Sequence, residues 1–425
     1  MTSQAGAGSD IADPELAALG QPRIEWAGRS MPVLGLIRGE LAAAQPFAGL
    51  AVAACLHLTP ETACLVNLIR AGGGRVQLAA SNPLSTQDDI AAALAALPGV
   101  SVSARAGVDR SGYYQHLHRA LDGGPDLVLD DGGDLVNTLH EERPELLAGV
   151  RGGCEATASG AARLRRMAAA GTLAFPMFAA DQSVVRRMYD NRYGTGQSVL
   201  DGIMRATHTL LAGQTLAVAG FGPAGSGIAE RARGLGARVV VTETDPVRAL
   251  DASLQGFTVL PMQEAAASAD VLITATGSRD VIAAGHLALL RDGAILANAG
   301  HFDVEIDVRA LAAAAIKITP QVRPHADEYL LADGRRLILL AEGRVVNLVA
   351  AEGNPAAVMD LSFAVQVLAL ARLAGRDPGG EGALAPVPAD IDAAVARLAL
   401  AARGIAVDEL TAAQQEYLDS WREGS

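Results

Sequence analysis

Apolar and polar positions along this chain follow two periods in turn. From residue 32 to about 150, short apolar runs of strand length alternate with Ala/Leu-rich segments of helical period. The pattern predicts strands over 48–57, 75–81 and 126–130, and helices over Pro60–Ala71 and 86–97. The third strand ends in Asp130-Asp131-Gly132-Gly133-Asp134, a turn by composition. A helical stretch over 196–212 leads into a second alternation, with strands over 214–220, 237–243, 271–274, 294–297 and 336–340 and a helix over 225–234. Helical pattern returns from Asn354 to about residue 375. Residues 1–20 read as a flexible lead-in, and the Gly/Pro-rich stretch 379–388 as a linker to a last helical module. Strands alternating with helices imply βαβ units, so the expected fold class is α/β: two Rossmann-like, doubly wound domains plus a short C-terminal helical segment. Parallel sheets of this kind bind ligands at the carboxyl ends of their strands, where His57 and the 130–134 turn fall.

Composition narrows the function. The 425 residues are 50% hydrophobic and 19% charged, which excludes disorder for the body of the chain. No apolar stretch is expected to reach the ~20 residues of a membrane span, and the polar, acidic N-terminus lacks the features of a signal peptide. A cytoplasmic protein is expected. With a net charge of −13 and no basic run, nucleic acid and acidic membranes are not expected partners. Cys55, Cys64 and Cys154 are odd in number and far apart, which gives neither a disulfide framework nor a metal-ligand spacing. Lysine occurs once, as Lys317.

The sharpest motif is Gly220-Phe221-Gly222-Pro223-Ala224-Gly225, a G-x-G-x-x-G between an expected strand and an expected helix. Gly220, Gly222 and Gly225 allow a tight turn and close backbone approach, so that a dinucleotide pyrophosphate can rest on the helix N-terminus. Glu243 ends the next strand, 18 residues after Gly225, where a carboxylate accepts from ribose hydroxyls and repels a 2′-phosphate. The expected cofactor is NAD. Arg248, near the same strand end, is a residue able to meet a phosphate.

Several collinear segments together resemble the S-adenosylhomocysteine hydrolase family. They are Cys55-Leu56-His57-Leu58-Thr59 with Glu61, Ser85-Thr86-Gln87-Asp88, Leu129-Asp130-Asp131-Gly132-Gly133-Asp134 and Tyr189-Asp190-Asn191. Gly300-His301-Phe302-Asp303-Val304-Glu305-Ile306-Asp307, Gly334-Arg335-Arg336 and Leu340-Ala341-Glu342-Gly343-Arg344 complete the series, which runs from about residue 30 to 420. The resemblance implies a substrate domain (1–190, returning over 353–385), an inserted NAD-binding domain (191–352) and a C-terminal helical segment (386–425). Hinges are implied near 182–196 and 353–356. It also implies a homo-oligomer, a dimer or tetramer, and a reaction cycle on an adenine nucleoside. In that cycle the ribose 3′-hydroxyl is oxidised, the C4′ proton is removed, the 5′ substituent leaves, and NAD is recycled.

By the same resemblance, His57 and Asp131 lie beside the 5′ position, His301 near the 3′ carbon, and Asp190 near the ribose hydroxyls. Thr59 and Glu61 read the adenine edge, and Met359 and Phe363 pack on the base. The implied cofactor contacts are Thr157, Ser159, Asn191, Gly220, Gly222, Gly225, Glu243, Thr276, Asn298 and Asn347, with no metal.

Four departures from the family pattern stand out. The family's Glu-Glu-Thr is here Glu155-Ala156-Thr157, and its lysine at the 3′-hydroxyl is here Arg186. Its Gly-His-Pro is here Gly353-Asn354-Pro355, and the chain stops at Trp421-Arg422-Glu423-Gly424-Ser425 without the family's terminal tail. An arginine keeps its charge where a buried lysine can lose a proton, and a methyl in place of a carboxylate leaves room. These changes point to a nucleoside dehydratase acting on an altered sugar in secondary metabolism, with ordinary S-adenosylhomocysteine hydrolysis or an inactive NAD-binding relative as alternatives. The missing tail adds an expectation of looser cofactor retention.

Overall fold

The computed structural model describes residues 8–379 and 382–421. Among the described residues, sixteen strands form two sheets of eight. The first uses β1 (Asp10–Ile11), β2 (Ala51–Leu56), β3 (Arg75–Ala80), β4 (Val100–Ala104), β5 (Leu127–Asp130), β6 (Gly152–Glu155) and β7 (Met177–Ala179). The second uses β8 (Thr215–Ala219), β9 (Arg238–Thr242), β10 (Thr258–Val259), β11 (Val271–Thr274), β12 (Ile295–Asn298), β13 (Ala315–Arg323), β14 (Ala326–Leu331) and β15 (Arg336–Leu340). The chain then returns to the first sheet with β16 (Leu384–Pro386).

In the first sheet the order is β1-β4-β3-β2-β5-β6-β7-β16, and every pairing is parallel. The winding direction reverses between β2 and β5, so their carboxyl ends open a crevice. His57 follows β2 there, and Asp131 follows β5. The second sheet runs β10-β9-β8-β11-β12-β15-β14-β13, with every pairing parallel except the last two, β15-β14 and β14-β13. Its reversal lies between β8 and β11, and Gly220 follows β8. Both sheets thus present their switch points to one region, as the alternating pattern leads one to expect of doubly wound sheets.

Three expectations need correction. Residues 1–20 are not all a loose lead-in: β1 pairs with β4 on the sheet edge, and a helix begins at Ala17. The 379–388 stretch is not only a linker, because β16 pairs with β7; Gly380 and Glu381 lie outside the described residues. The helix that follows, Ala389–Ala401, is no separate module, since Ile391, Val395 and Ala399 are buried in the core of the first sheet. Strands of two and three residues carry too little apolar pattern to be read from sequence; edge pairing supplies what periodicity does not.

The helix Ala356–Ala374 also corrects the membrane expectation. By length and composition it is apolar enough to cross a bilayer, and most of it is buried inside the protein. Its apolar side packs into the first sheet's core through Leu361, Val365, Leu370 and Leu373. Asp360 in the same helix accepts from the Val33 and Leu34 amides, at 3.0 and 2.8 Å, and so caps the helix Pro32–Ala44.

Candidate active site

The first cavity collects side chains from both domains around the β2 and β5 ends. His57, Thr59, Glu61, Asp131, Ala156, Thr157, Arg186, Asp190, His301, Asn347, Asn354, Met359 and Phe363 all line it. Every substrate and catalytic residue expected from sequence therefore faces one space. A second cleft lies beside it, lined by Thr157, Ser159, Asn191, Gly222, Thr276 and His301 among others. Thr157, Ala299 and His301 line both, so the two spaces meet at those residues.

His57 Nδ1 is 2.7 Å from Ser85 Oγ, and its Nε2 is 3.3 Å from Asp131 Oδ2. Burial pushes the imidazole down to about 4, with Asp131 opposing and His301 assisting. The ring is therefore neutral at physiological pH and has one nitrogen to donate and one to accept. The His57 and His301 ring centroids are 5.8 Å apart. A side chain at Gly132 would place its Cβ 2.6 Å from His301 Nε2, and Gly132 has a φ of +114°, so only glycine suits the turn.

Asp190 lies in a nine-residue π-helix, Arg187–Thr195, that crosses from the first sheet toward the second. Wide helical turns of this kind concentrate at functional sites, because they redirect side chains that an α-helix would turn away. Asp190 Oδ2 accepts from Arg186 Nε at 3.0 Å and from Ser362 Oγ at 2.7 Å. Its Oδ1 accepts from Asn354 Nδ2 at 2.5 Å. Asn354 Oδ1 accepts from Ser198 Oγ at 2.8 Å, and Ser198 Oγ accepts from Asn347 Nδ2 at 3.0 Å. A continuous chain of polar contacts thus joins Arg186 to Asn347 across the boundary between the two sheets. Two buried atoms on it have no partner among the described residues, Arg186 Nη1 and Asn347 Oδ1. Buried donors and acceptors are rarely left unmet, so both mark positions where a ligand's polar groups are needed.

Behind the 130–134 turn sit two fully buried acids, Asp130 and Glu155, paired across β5 and β6. Asp130 accepts from the Asp131 and Val136 amides. Glu155 Oε1 accepts from the Gly132 amide at 3.0 Å, the Thr157 amide at 2.7 Å and Thr157 Oγ1 at 2.7 Å. Together they set the 130–134 turn and the start of the helix Ala158–Ala169. Burial first, and then the charge of Asp130, pushes Glu155 well above the ordinary carboxylate range; burial also raises Asp130. A carboxyl raised on folding gives its full stability below the unfolded value of ~4 and loses it as pH climbs toward the folded value. Glu155→Gln keeps the Oε1 acceptor and cannot ionise. Its melting temperature relative to wild type is expected to rise steadily from pH 5 to pH 8 in thermal scans; a constant difference would contradict the assignment.

The residues can hold a dinucleotide. Gly220 has a φ of +97°, and a Cβ there would lie 2.8 Å from Ala275 O; a Cβ on Gly225 would lie 1.9 Å from Gly220 O. Both glycines are required by the close turn, while Gly222 faces the open cleft. Glu243 accepts from the Phe221 and Thr244 amides at 2.7 Å and the Asp245 amide at 3.0 Å. Burial opposes its ionisation, but these amides outweigh burial and hold the carboxyl below its ordinary value, so it is charged. Thr276 reaches the cleft while donating to Glu305 at 2.6 Å. Asn298 does not fit its expected role. It is fully buried, donates to Gly300, Phe302 and Gly343 carbonyls and accepts from Thr274 and the Gly300 amide, which leaves nothing for a cofactor. Its task is to shape the 299–302 loop that carries His301.

Sequence reasoning assigned no role to Ser85, Glu155, Ser198 or Ser362. Ser362 and Gln366 did carry a signal, as polar residues within a largely apolar helix; Gln366 also lines the first cavity.

Comparison with known proteins agrees with this arrangement. Residues 9–146 match the family model "S-adenosyl-L-homocysteine hydrolase", and residues 191–353 match "S-adenosyl-L-homocysteine hydrolase, NAD binding domain". The chain is 51% identical to an adenosylhomocysteinase of Aquifex aeolicus, over 98% of this chain and 99% of that protein. It is 49% identical to one from Thermosynechococcus vestitus, over 100% and 98%, and 50% identical to one from Thermococcus kodakarensis, over 98% and 98%.

Proposed function

Because the chain belongs to the S-adenosyl-L-homocysteine hydrolase family and is an NAD-dependent enzyme of that type, we propose that it hydrolyses S-adenosylhomocysteine to adenosine and homocysteine. The observation that carries this reading is the convergence of His57, Asp131, Asp190 and His301 on one cavity that opens into the dinucleotide cleft. Identities near 50% to three adenosylhomocysteinases over their whole lengths support it further.

When bound, NAD supplies oxidation at the ribose 3′ carbon and its later reversal. The protein does the rest. Asp190, gripped by Arg186, Ser362 and Asn354, presents a fixed acceptor edge to the ribose hydroxyls. Arg186 cannot serve as a base, because a guanidinium keeps its proton; its role is charge and position. His57, neutral and held between Ser85 and Asp131, is poised to give and take a proton at the 5′ position. Thr59 caps the helix Pro60–Ala71, and Glu61 in its first turn faces the cavity, where the pair can read an adenine edge.

Ala156, Arg186 and Asn354 favour a second reading. All three line the cavity, and Arg186 keeps a buried Nη1 without a partner. A methyl and an unpaired guanidinium donor suit a sugar bearing an extra oxygenated substituent. With a free 5′-hydroxyl as leaving group, the same steps would end in net dehydration to a 4′,5′-alkene. Incubating the NAD-loaded enzyme with S-adenosylhomocysteine and with adenine nucleosides of varied sugar, followed by mass detection, separates the readings. Homocysteine release supports hydrolysis, and loss of one water from a nucleoside supports dehydration. No turnover of any compound would contradict both.

Assembly into a homo-oligomer is part of the proposal. The helix Ala412–Asp419 buries no residue; its Tyr417 and Leu418 are exposed, as are Leu410 before it and Trp421 after it. Exposed apolar groups of this density mark contact surfaces. A single monomeric species in sedimentation velocity would contradict it.

A further inference from the structure

The dinucleotide cleft contains a group of cations for which the chemistry at the sugar has no use. Three arginines line it: Arg165, Arg187 and Arg248. Arg165 is ion-paired with Asp181 at 3.6 Å. Among the described residues Arg187 forms no ion pair within 4 Å, although its charge reaches Asp181, and Arg248 has Asp245 at 3.8 Å with Glu243 also within reach of its charge. That aspartate is already engaged in capping the helix Pro246–Leu254 through the Val247 and Arg248 amides. In a chain of net charge −13, two weakly partnered guanidiniums in one cleft are conspicuous.

Their placement is specific. Arg187 and Arg248 both line the cleft and also the adjoining hollow, and in each they are accompanied by Gly222 and Pro223. They therefore border the glycine turn. Arg248 Nη1 lies 3.6 Å from the position that a Cβ on Gly222 would occupy. Arg248 belongs to the helix after β9, whereas Arg187 opens the π-helix that crosses between the sheets. The carboxylates nearby are Asp181 in the cleft, Asp251 in the hollow, and Glu243. Of these, Glu243 is occupied by backbone amides and Asp181 is paired with Arg165.

The turn itself explains why added cations help. A glycine-rich turn binds pyrophosphate through free backbone N–H groups at the start of the following helix. Here the first residue of the helix Pro223–Gly234 is a proline, which has no N–H. The turn therefore offers an incoming anion one backbone donor fewer. Arginine offers several donors in a planar fork suited to phosphate oxygens.

We propose that Arg187 and Arg248 form a two-armed clamp on the diphosphate of NAD, one arm from the crossing segment and one from the cofactor domain, compensating for the donor lost at Pro223. The clamp rests on the assignment of NAD and not on the identity of the nucleoside substrate.

The test is direct binding of NAD and of ADP-ribose, with NADP titrated for comparison, to the cofactor-stripped full-length protein by titration calorimetry, at low and at high salt. Arg187→Ser and Arg248→Ala are each expected to weaken both ligands about tenfold, and the double variant about a hundredfold, on the scale of charge-assisted hydrogen bonds. The loss should shrink at high salt, because exposed charge interactions are screened. Arg248→Lys should recover part of the affinity. Melting temperatures without cofactor should match wild type, which separates lost binding from lost folding. Affinities within twofold of wild type for the double variant, or losses that do not change with salt, would overturn the clamp. A gain in NAD affinity together with a loss of NADP affinity in Arg248→Ala would also overturn it, by assigning Arg248 to a 2′-phosphate instead.

Discussion

Replacing His57 by alanine is expected to lower kcat by about 10²–10⁴-fold, the range for a positioned general acid–base group, with NAD affinity unchanged within about twofold. The physical basis is the environment of the ring. Burial holds the imidazole down to about 4, while Ser85 and Asp131 fix its two nitrogens at 2.7 and 3.3 Å. A neutral, oriented imidazole is available for proton transfer over the whole neutral range. The acid limb of kcat/KM assigned to this group should accordingly fall below about pH 5 and not near the ordinary histidine value of ~6.5. If His57→Ala kept most of its turnover, proton transfer at the 5′ position would have to pass to Asp131 through water.

Gly225→Ala is expected to abolish NAD binding, weakening it by at least about a hundredfold, and to destabilise the cofactor domain by about 1–3 kcal/mol. A Cβ at this position would lie 1.9 Å from Gly220 O and 2.8 Å from Gly220 C, and both are backbone atoms without a rotamer to move. The turn must therefore open, which carries the Gly222 edge out of the cleft. Gly234→Ala, with no atom within 4 Å of its added Cβ, is the control and should bind NAD as wild type does. Calorimetric titration of both variants tests this; equal affinities would show that the turn is looser than its contacts imply.

The parts of this molecule that could be read from sequence are those set by local pattern. Strands β2, β5 and β8 are short apolar runs that end in His57, an Asp/Gly turn and a glycine motif, so the switch points of both sheets were visible before any tertiary information. Residues brought together by long-range contacts were less accessible. The route from Arg186 through Asp190, Asn354 and Ser198 to Asn347 joins positions up to 164 residues apart in its individual contacts, and nothing local marks Ser198 as its middle. Asn298 shows the converse error. It precedes the Gly300-His301 motif, and the family resemblance implied a cofactor ligand there, but five contacts within the protein consume its amide. Strands β1 and β16 escaped notice because two or three residues cannot show a period; their partners β4 and β7 define them.

The central claim is that this site activates the C4′ position of an adenine nucleoside. The most direct measurement is exchange at that carbon: the NAD-loaded enzyme is incubated with adenosine in deuterium oxide, and the recovered nucleoside is examined by proton NMR and mass spectrometry. The account predicts solvent deuterium at C4′ and at no other ribose carbon, because reversal of the elimination exchanges the 5′ oxygen and leaves the C5′ hydrogens in place; in His57→Ala the exchange of the 5′ oxygen with oxygen-18 water should slow by about 10²-fold or more. Adenosine recovered from wild-type enzyme with no deuterium at C4′, while NAD binding is intact, would contradict it.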